Sequence, residues 1–324
     1  MIVSVVGLGY IGLPTAAILA SNDVDVVGVD VNRDTVETIN QGKIHIVEPD
    51  LALLVRDSVK SGNLRATTRF ERADIFIITV PTPFKEDHKP DLSYIESASK
   101  AIAPVLEKGN LIILESTSPV GTTEKILDWM QDIRPELSFP KIGVDSEEFD
   151  IGVAYCPERV LPGNTVRELV ENDRIIGGVS GHCAKQASDL YKIFVKGDCL
   201  ITDCRTAELS KLVENSYRDV NIAFANELSL ISDKLDIDVW ELIKLANKHP
   251  RVDILEPGPG VGGHCIAVDP WFIIDSVPDQ TTLIQTSRLI NLEKPKFVLE
   301  KIQQAIDKSG LEKSDSQIAC LGLA

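Results

Sequence analysis

Residues 258–269 read Gly-Pro-Gly-Val-Gly-Gly-His-Cys-Ile-Ala-Val-Asp, a run of glycines that ends on the thiol of Cys265 and, four positions later, the carboxylate of Asp269. Glycine has no side chain to hold a ligand away, so a bulky substrate can come close to a nucleophile placed beside such a run. The chemistry this favours is covalent, with sulfur adding to an electrophilic carbon. A single cysteine after a turn is more often an inert packing residue. Here a second chemical signal stands in the same chain, Gly7-Leu8-Gly9-Tyr10-Ile11-Gly12, and it belongs to a dinucleotide.

The Gly-x-Gly-x-x-Gly spacing is weak alone. It follows a β-branched run at residues 2–6, precedes a helical pattern starting near Tyr10, and is followed by a second strand pattern ending in Asp30. In that setting Gly7 permits the tight turn, Gly9 lets backbone amides reach a pyrophosphate, and Gly12 allows helix and strand to pack closely. Tyr10 and Ile11 line the same turn. Asp30 would accept hydrogen bonds from a free ribose and repel a 2′-phosphate, which favours NAD over NADP, while Arg33 is the neighbour that would suit a phosphate.

The elements that must position these groups follow from periodicity. Strand-like runs at residues 2–6, 24–30, 74–80, 110–115, 153–156 and 174–179 alternate with helical stretches up to about residue 202, the pattern of a Rossmann-like, doubly wound parallel sheet. Pro81-Thr82-Pro83 and Ser116-Thr117-Ser118-Pro119-Val120-Gly121 fall just beyond strand ends, where open parallel sheets bind ligands. From residue 206 to 235 the helical period is unbroken, and its later part, residues 220–231, is apolar on more than one side, as expected of a helix covered by a second subunit. Residues 239–245 and 283–306 predict further helices. The expected division is therefore a dinucleotide-binding domain over 1–202 and an all-α domain over 203–312. Residues 316–324 read as a strand entering another turn, so residues 313–324 are expected to open a further sheet domain that the chain does not contain.

Composition excludes other classes. With 33 basic and 49 acidic residues the net charge is −16, which repels nucleic acid and anionic membranes. No run of eighteen apolar residues and no basic leader occurs, which predicts a soluble, cytoplasmic protein. The six cysteines show no metal-type spacing with the five histidines and read as reduced thiols, with no metal site.

Several polar residues are unremarkable one at a time. Lys211 and Asn215 stand four apart on one helix face, with Arg218 or Asp219 one turn on, a spacing that a solvated stripe also shows. Glu158, in Cys156-Pro157-Glu158-Arg159, is compatible with a surface carboxylate, and Asp269-Pro270 with a helix N-cap. Taken in order, however, Gly7 to Gly12, Val80-Pro81-Thr82-Pro83, Ser116 to Gly121, Pro157-Glu158, Lys211-Leu212-Val213-Glu214-Asn215 and Gly262-Gly263-His264-Cys265 resemble the UDP-glucose/GDP-mannose dehydrogenases across nearly the whole chain. Residues 44–50, 218–227 and 249–252 narrow the resemblance to members acting on UDP-N-acetylhexosamines, and 44–50 favours the manno over the gluco sugar.

The resemblance implies NAD-dependent oxidation of a sugar-nucleotide alcohol to a carboxylate, by a homodimer paired through its helical domain. It implies catalytic roles for Cys265 as nucleophile, Lys211 and Asn215 as oxyanion donors, Asp269 and Thr117 as holders of a water that accepts the alcohol proton, and Glu158 in thioester hydrolysis. The cofactor would meet Gly7, Gly9, Tyr10, Ile11, Gly12, Asp30, Arg33, Pro81, Thr82, Ser116 and Thr117. The substrate would meet Glu158, Arg159, Val160, Lys211, Asn215, Arg218, Arg251, Gly258, Gly260 and Gly262. A two-electron hydroxyacid dehydrogenase of the 6-phosphogluconate type would share the sheet and helices without needing Cys265. A non-catalytic NAD-binding dimerisation subunit is the other alternative.

Overall fold

The computed structural model describes residues 1–144, 148–263, 265–310, 314 and 316–319. The chain divides into two compact units, Met1–Lys211 and Leu212–Ala324.

The first unit runs β1 (Ile2–Val6), α1 (Gly12–Ser21), β2 (Asp25–Val29), α2 (Arg33–Asn40), α3 (Leu51–Ser61), β3 (Leu64–Thr67), β4 (Ile75–Ile78), α4 (Ser93–Ile102), β5 (Leu111–Leu114), α5 (Thr122–Gln131), β6 (Gly152–Tyr155), α6 (Thr165–Glu171), β7 (Arg174–Gly178), α7 (Gly181–Tyr191) and β8 (Cys199–Asp203). The strands form one sheet in the order β3-β2-β1-β4-β5-β6-β7-β8. The first six are parallel in the Rossmann order, which reverses direction of travel between β1 and β4. The sheet is not parallel throughout: β7 runs antiparallel to β6, and β8 follows β7 in parallel.

Alternate strand residues feed two separate cores, as the two-residue repeat of a strand requires. Val3 and Val5, Ile75 and Ile77, and Leu111 and Ile113 join α1, α3 and α7 on one face. Val6, Phe76, Ile78, Ile112 and Leu114 join α4 and α5 on the other. The two strands not expected from the sequence, β3 and β8, are the sheet edges, and only one side of each is paired. Their alternating or largely exposed side chains lack the continuous apolar run that marks a buried strand.

Helix α8 (Cys204–Leu235) continues from the first unit into the second, 32 residues free of glycine and proline. The second unit adds α9 (Val239–Ala246), α10 (Asp269–Ser276) and α11 (Thr282–Ser309), which carries Pro295 in its interior. Its apolar cluster is small, with Leu212, Phe272 and Ile273 fully or nearly buried. α8 and α11 are joined by polar groups instead. Asp219 takes Arg288 at 2.6 Å and the Asn291 amide at 2.8 Å, Asn291 accepts from Asn226 at 2.9 Å, and Lys294 donates to the Ser229 hydroxyl. The opposite side of α8 leaves Tyr217, Phe224 and Ile231 exposed at seven-residue intervals. No described helix is long and apolar enough to cross a membrane. Residues 316–319 form no regular structure, and residues 320–324 of the expected terminal strand lie outside the described residues, as does His264.

Candidate functional site

The glycine turn lies at the point where the strand order reverses. Gly7 has φ +95°, a conformation that L side chains rarely adopt, and its N–H donates to Val29 O at 2.8 Å. The Thr79 hydroxyl at the end of β4 donates to Gly7 O at 2.6 Å, so the turn is fastened to both neighbouring strands. A Cβ on Gly12 would lie 1.8 Å from Gly7 O and 2.4 Å from that hydroxyl, which leaves room for no other residue. A Cβ on Gly9 would meet nothing within 4 Å, and no side chain caps the first turn of α1 at Ile11. Open space above uncapped helix amides suits a pyrophosphate.

Asp30 has a structural role in the turn. One oxygen accepts from Leu8 N–H at 2.9 Å inside the glycine turn and the other from Asn32 N–H at 2.8 Å. Tyr10 and Arg33 are exposed and Ile11 is half-buried. Ser116 donates to Val80 O at 2.6 Å, tying the loop after β5 to the loop after β4. Among the described residues the hydroxyl oxygens of Thr82 and Ser118 are buried with no hydrogen-bond partner. Orphaned polar atoms in the loops beyond β4 and β5 fit a polar ligand such as NAD. Pro81 is exposed and Thr117 half-buried.

Glu158 is not a surface carboxylate. It is 9% exposed and pairs with buried Arg174 at 2.8 Å. Arg174 also lies 3.8 Å from the fully buried Glu115 and 4.9 Å from the centre of the Tyr191 ring. Tyr191 donates to Glu115 at 2.5 Å. One guanidinium thus serves two carboxylates. Burial, opposed by Arg174 and helped by Glu158, pushes Glu115 up to about 7. Burial also holds the neighbouring Cys156 thiol up at about 12, an inert packing cysteine. Arg159 turns its guanidinium to Asp173 O at 2.6 Å, and Val160 beside it is half-buried. Lys211, in the first unit on α8, is half-buried.

In the second unit Asn215 and Asp269 come together, both buried, with the Asn215 amide donating to the carboxylate at 2.6 Å. Asp269 opens α10 with Val268 at the N-cap, so it is not the helix cap that Asp-Pro allows. Cys265 is exposed and in no disulfide, and its carbonyl accepts from Val268 and Asp269 N–H at 3.0 and 2.9 Å. Cys265 and Asp269 are thereby held on one turn of backbone. At the start of the glycine run Gly258 N–H donates to Asn226 at 2.9 Å, and a Cβ on Gly260 would lie 3.1 Å from Pro295. Gly262, Arg218 and Arg251 are exposed.

Four groups in these arrangements escaped the sequence: Glu115, Arg174 and Tyr191 around Glu158, and Asn226 behind Gly258. Glu115, adjacent to Ser116, and Asn226, inside the 218–227 stretch, carried a positional signal.

Comparison with known proteins gives the family. Residues 1–195 match the NAD binding domain of the UDP-glucose/GDP-mannose dehydrogenase family, and residues 205–293 match its central domain. A UDP-N-acetyl-D-mannosamine dehydrogenase of Campylobacter jejuni is 63% identical over 324 residues, covering 99% of this chain and 78% of that protein. An NDP-N-acetyl-D-galactosaminuronic acid dehydrogenase of Ralstonia nicotianae is 61% identical over 322 residues, covering 99% and 75%. Among solved structures, the UDP-D-ManNAc dehydrogenase of Pyrococcus horikoshii aligns with TM-score 0.91 at 43% identity, over 100% of this chain and 76% of that one.

Proposed function

The chain belongs to the UDP-glucose/GDP-mannose dehydrogenase family, and from that premise we propose that it oxidises the 6-hydroxyl of UDP-N-acetyl-D-mannosamine to the uronate through a thioester on Cys265. The observation that carries the reading is the exposed Cys265 at the end of a glycine run, one backbone turn from a buried, oriented Asp269.

Bound NAD supplies the hydride acceptor, held by the turn of Gly7 to Gly12, by Asp30 and by the loops at Pro81-Thr82 and Ser116-Thr117. A primary alcohol becomes a carboxylate by losing two hydrides and gaining one water oxygen, so an aldehyde must be retained between the oxidations. Sulfur of Cys265 adding to the aldehyde carbon forms the C–S bond of a thiohemiacetal. That adduct keeps one hydride on carbon and its loss leaves a thioester. Water then breaks the C–S bond and returns the thiol. Lys211 and Asn215 are assigned to the oxyanion at that carbon, where a fixed donor contributes about 3–4 kcal/mol. Asp269 and Thr117 hold the water that takes the alcohol proton. Glu158, oriented by Arg174, assists hydrolysis. Arg159, Val160, Arg218, Arg251 and the backbone of Gly258, Gly260 and Gly262 are assigned to the substrate.

The exposed Tyr217, Phe224 and Ile231 on α8 support a homodimer, since burying one large apolar side chain contributes roughly 1.5–3 kcal/mol. Light scattering reads that directly.

Relatives of nearly equal identity carry manno and galacto names, so sugar choice is the point to test. NADH formation is compared for the UDP derivatives of N-acetylmannosamine, N-acetylglucosamine and N-acetylgalactosamine. The proposal expects kcat/KM to favour the manno sugar by tenfold or more, about 1.4 kcal/mol. Equal or reversed rates would move the assignment to another sugar.

A further inference from the structure

Helix α5 does not cap itself. Its N-cap residue is Gly121, at φ +91°, which has no side chain to offer. The amides at this end are taken instead by Glu208 of α8, far along the chain. One carboxylate oxygen accepts from Gly121 N–H at 2.6 Å, and the other accepts from Thr123 N–H at 2.8 Å and the Thr123 hydroxyl at 2.6 Å. Glu208 is fully buried beside Cys204 and Ala207, which belong to the apolar core. Burial pushes its carboxyl up to about 7, against the pull of the three donors.

Two further contacts fix the same turn of α8. Arg205 forks onto Glu124 in the first turn of α5, at 2.5 and 2.8 Å. A Cβ on Gly177 of β7 would come within 2.6 Å of the Ala207 Cβ, so this stretch of helix lies directly on the sheet. A capping side chain at position 121 would have to adopt φ +91°, which L residues rarely do, so the cap comes from elsewhere in the chain. The long-range carboxylate adds what a local cap lacks, a fixed separation between the loop after β5 and α8. Thr117 precedes Gly121 by four residues, and Lys211 follows Glu208 by three, one helical turn.

We propose that Glu208 is a positioning residue that locks the Thr117 loop to the turn of α8 carrying Lys211. This rests on the roles assigned above to Thr117 and Lys211. Glu208 touches neither substrate nor cofactor in this account. It acts by holding two elements in register.

The test uses Glu208→Gln, Thr123→Val and Arg205→Ala, each read by thermal melting, NAD affinity, and kcat and KM for the UDP-N-acetylhexosamine at 25 °C. Glutamine keeps the size of the side chain but turns an amide nitrogen toward one of the three donors. Small misplacement of reacting groups lowers rates steeply, so Glu208→Gln is expected to lower kcat by about ten- to a hundredfold. NAD affinity and KM should move less than kcat, within about threefold, because the glycine turn and Asp30 are untouched and only the Thr117 and Lys211 contacts shift. Thr123→Val should lower kcat by a smaller factor in the same direction, and Arg205→Ala by less again. A Glu208→Gln protein that melts lower but retains wild-type kcat would show a purely structural cap and overturn the inference. If Glu208→Gln does not fold, the other two variants decide: lowered kcat with retained binding supports the clamp, and wild-type kcat in both overturns it. A wild-type protein that makes no NADH from any of the three sugars would instead reject the proposed reaction.

Discussion

Replacing Arg174 by methionine should separate the charge network beneath Glu158 from the rest of the fold. Arg174 is 3% exposed, pairs with Glu158 at 2.8 Å, approaches Glu115 at 3.8 Å and stacks over Tyr191. Methionine fills similar volume, so little of the loss comes from a cavity. What remains is two buried carboxylates without a cation, and removing one partner of a buried pair costs about 3–5 kcal/mol. For a unit of 211 residues each kcal/mol moves the melting temperature by about 2–4 °C, giving a fall of roughly 6–20 °C. The loss should depend on pH in a defined sense. Burial already raises Glu115 from its ordinary 4.5 to about 7, with Arg174 opposing the rise. A carboxyl raised in the folded state contributes stability that is complete below its unfolded value and lost as pH climbs through the folded one. Without Arg174 that upward displacement grows, so the deficit against wild type should be smallest at about pH 5 and largest above about pH 7. Melts of both proteins across that range provide the assay. A deficit below about 1 kcal/mol, or one that does not change with pH, would refute the assignment of Arg174 as the cation serving both carboxylates.

Gly12→Ala should weaken NAD binding by tenfold or more in calorimetry, about 1.4 kcal/mol, because its Cβ would lie 1.8 Å from Gly7 O; affinity within twofold of wild type would contradict the role given to the turn. Asp30→Ala should shift the NAD/NADP preference toward NADP by about tenfold while leaving Leu8 N–H without its acceptor, and an unchanged preference would place the adenosine elsewhere. Cys265→Ser should bind NAD normally yet produce no free acid, since an oxygen ester hydrolyses too slowly to replace a thioester, and wild-type acid formation would remove the covalent step.

Much of this was legible in the residues because it is local. The glycine turn, the Asp30 at the end of β2 and the 32-residue α8 are each encoded within one stretch, by spacing, β-branching or the absence of helix breakers. What escaped is held by partners far apart. Arg174 opens an ordinary β-branched strand, and nothing nearby marks it as the cation for Glu115 and Glu158. Glu208 lies among charged helix residues and becomes a cap only when α8 meets the α5 loop. The edge strands β3 and β8 leave no mark in the sequence because edges need no continuous apolar run, and neither does the reversal of β7, because strand direction depends on a connection rather than on strand composition. The polar seam between α8 and α11 inverts the usual expectation that the apolar face of a helix is the one buried within its own unit.

In the proposed reaction one chain carries an alcohol through to an acid without releasing the aldehyde. Counting NADH against UDP-N-acetylmannosamine consumed, in a reaction run to completion with excess NAD, measures this most directly. A thioester route yields two NADH for each sugar nucleotide, with no aldehyde captured by an added hydrazine. One NADH for each sugar, with aldehyde recovered in solution, would contradict it.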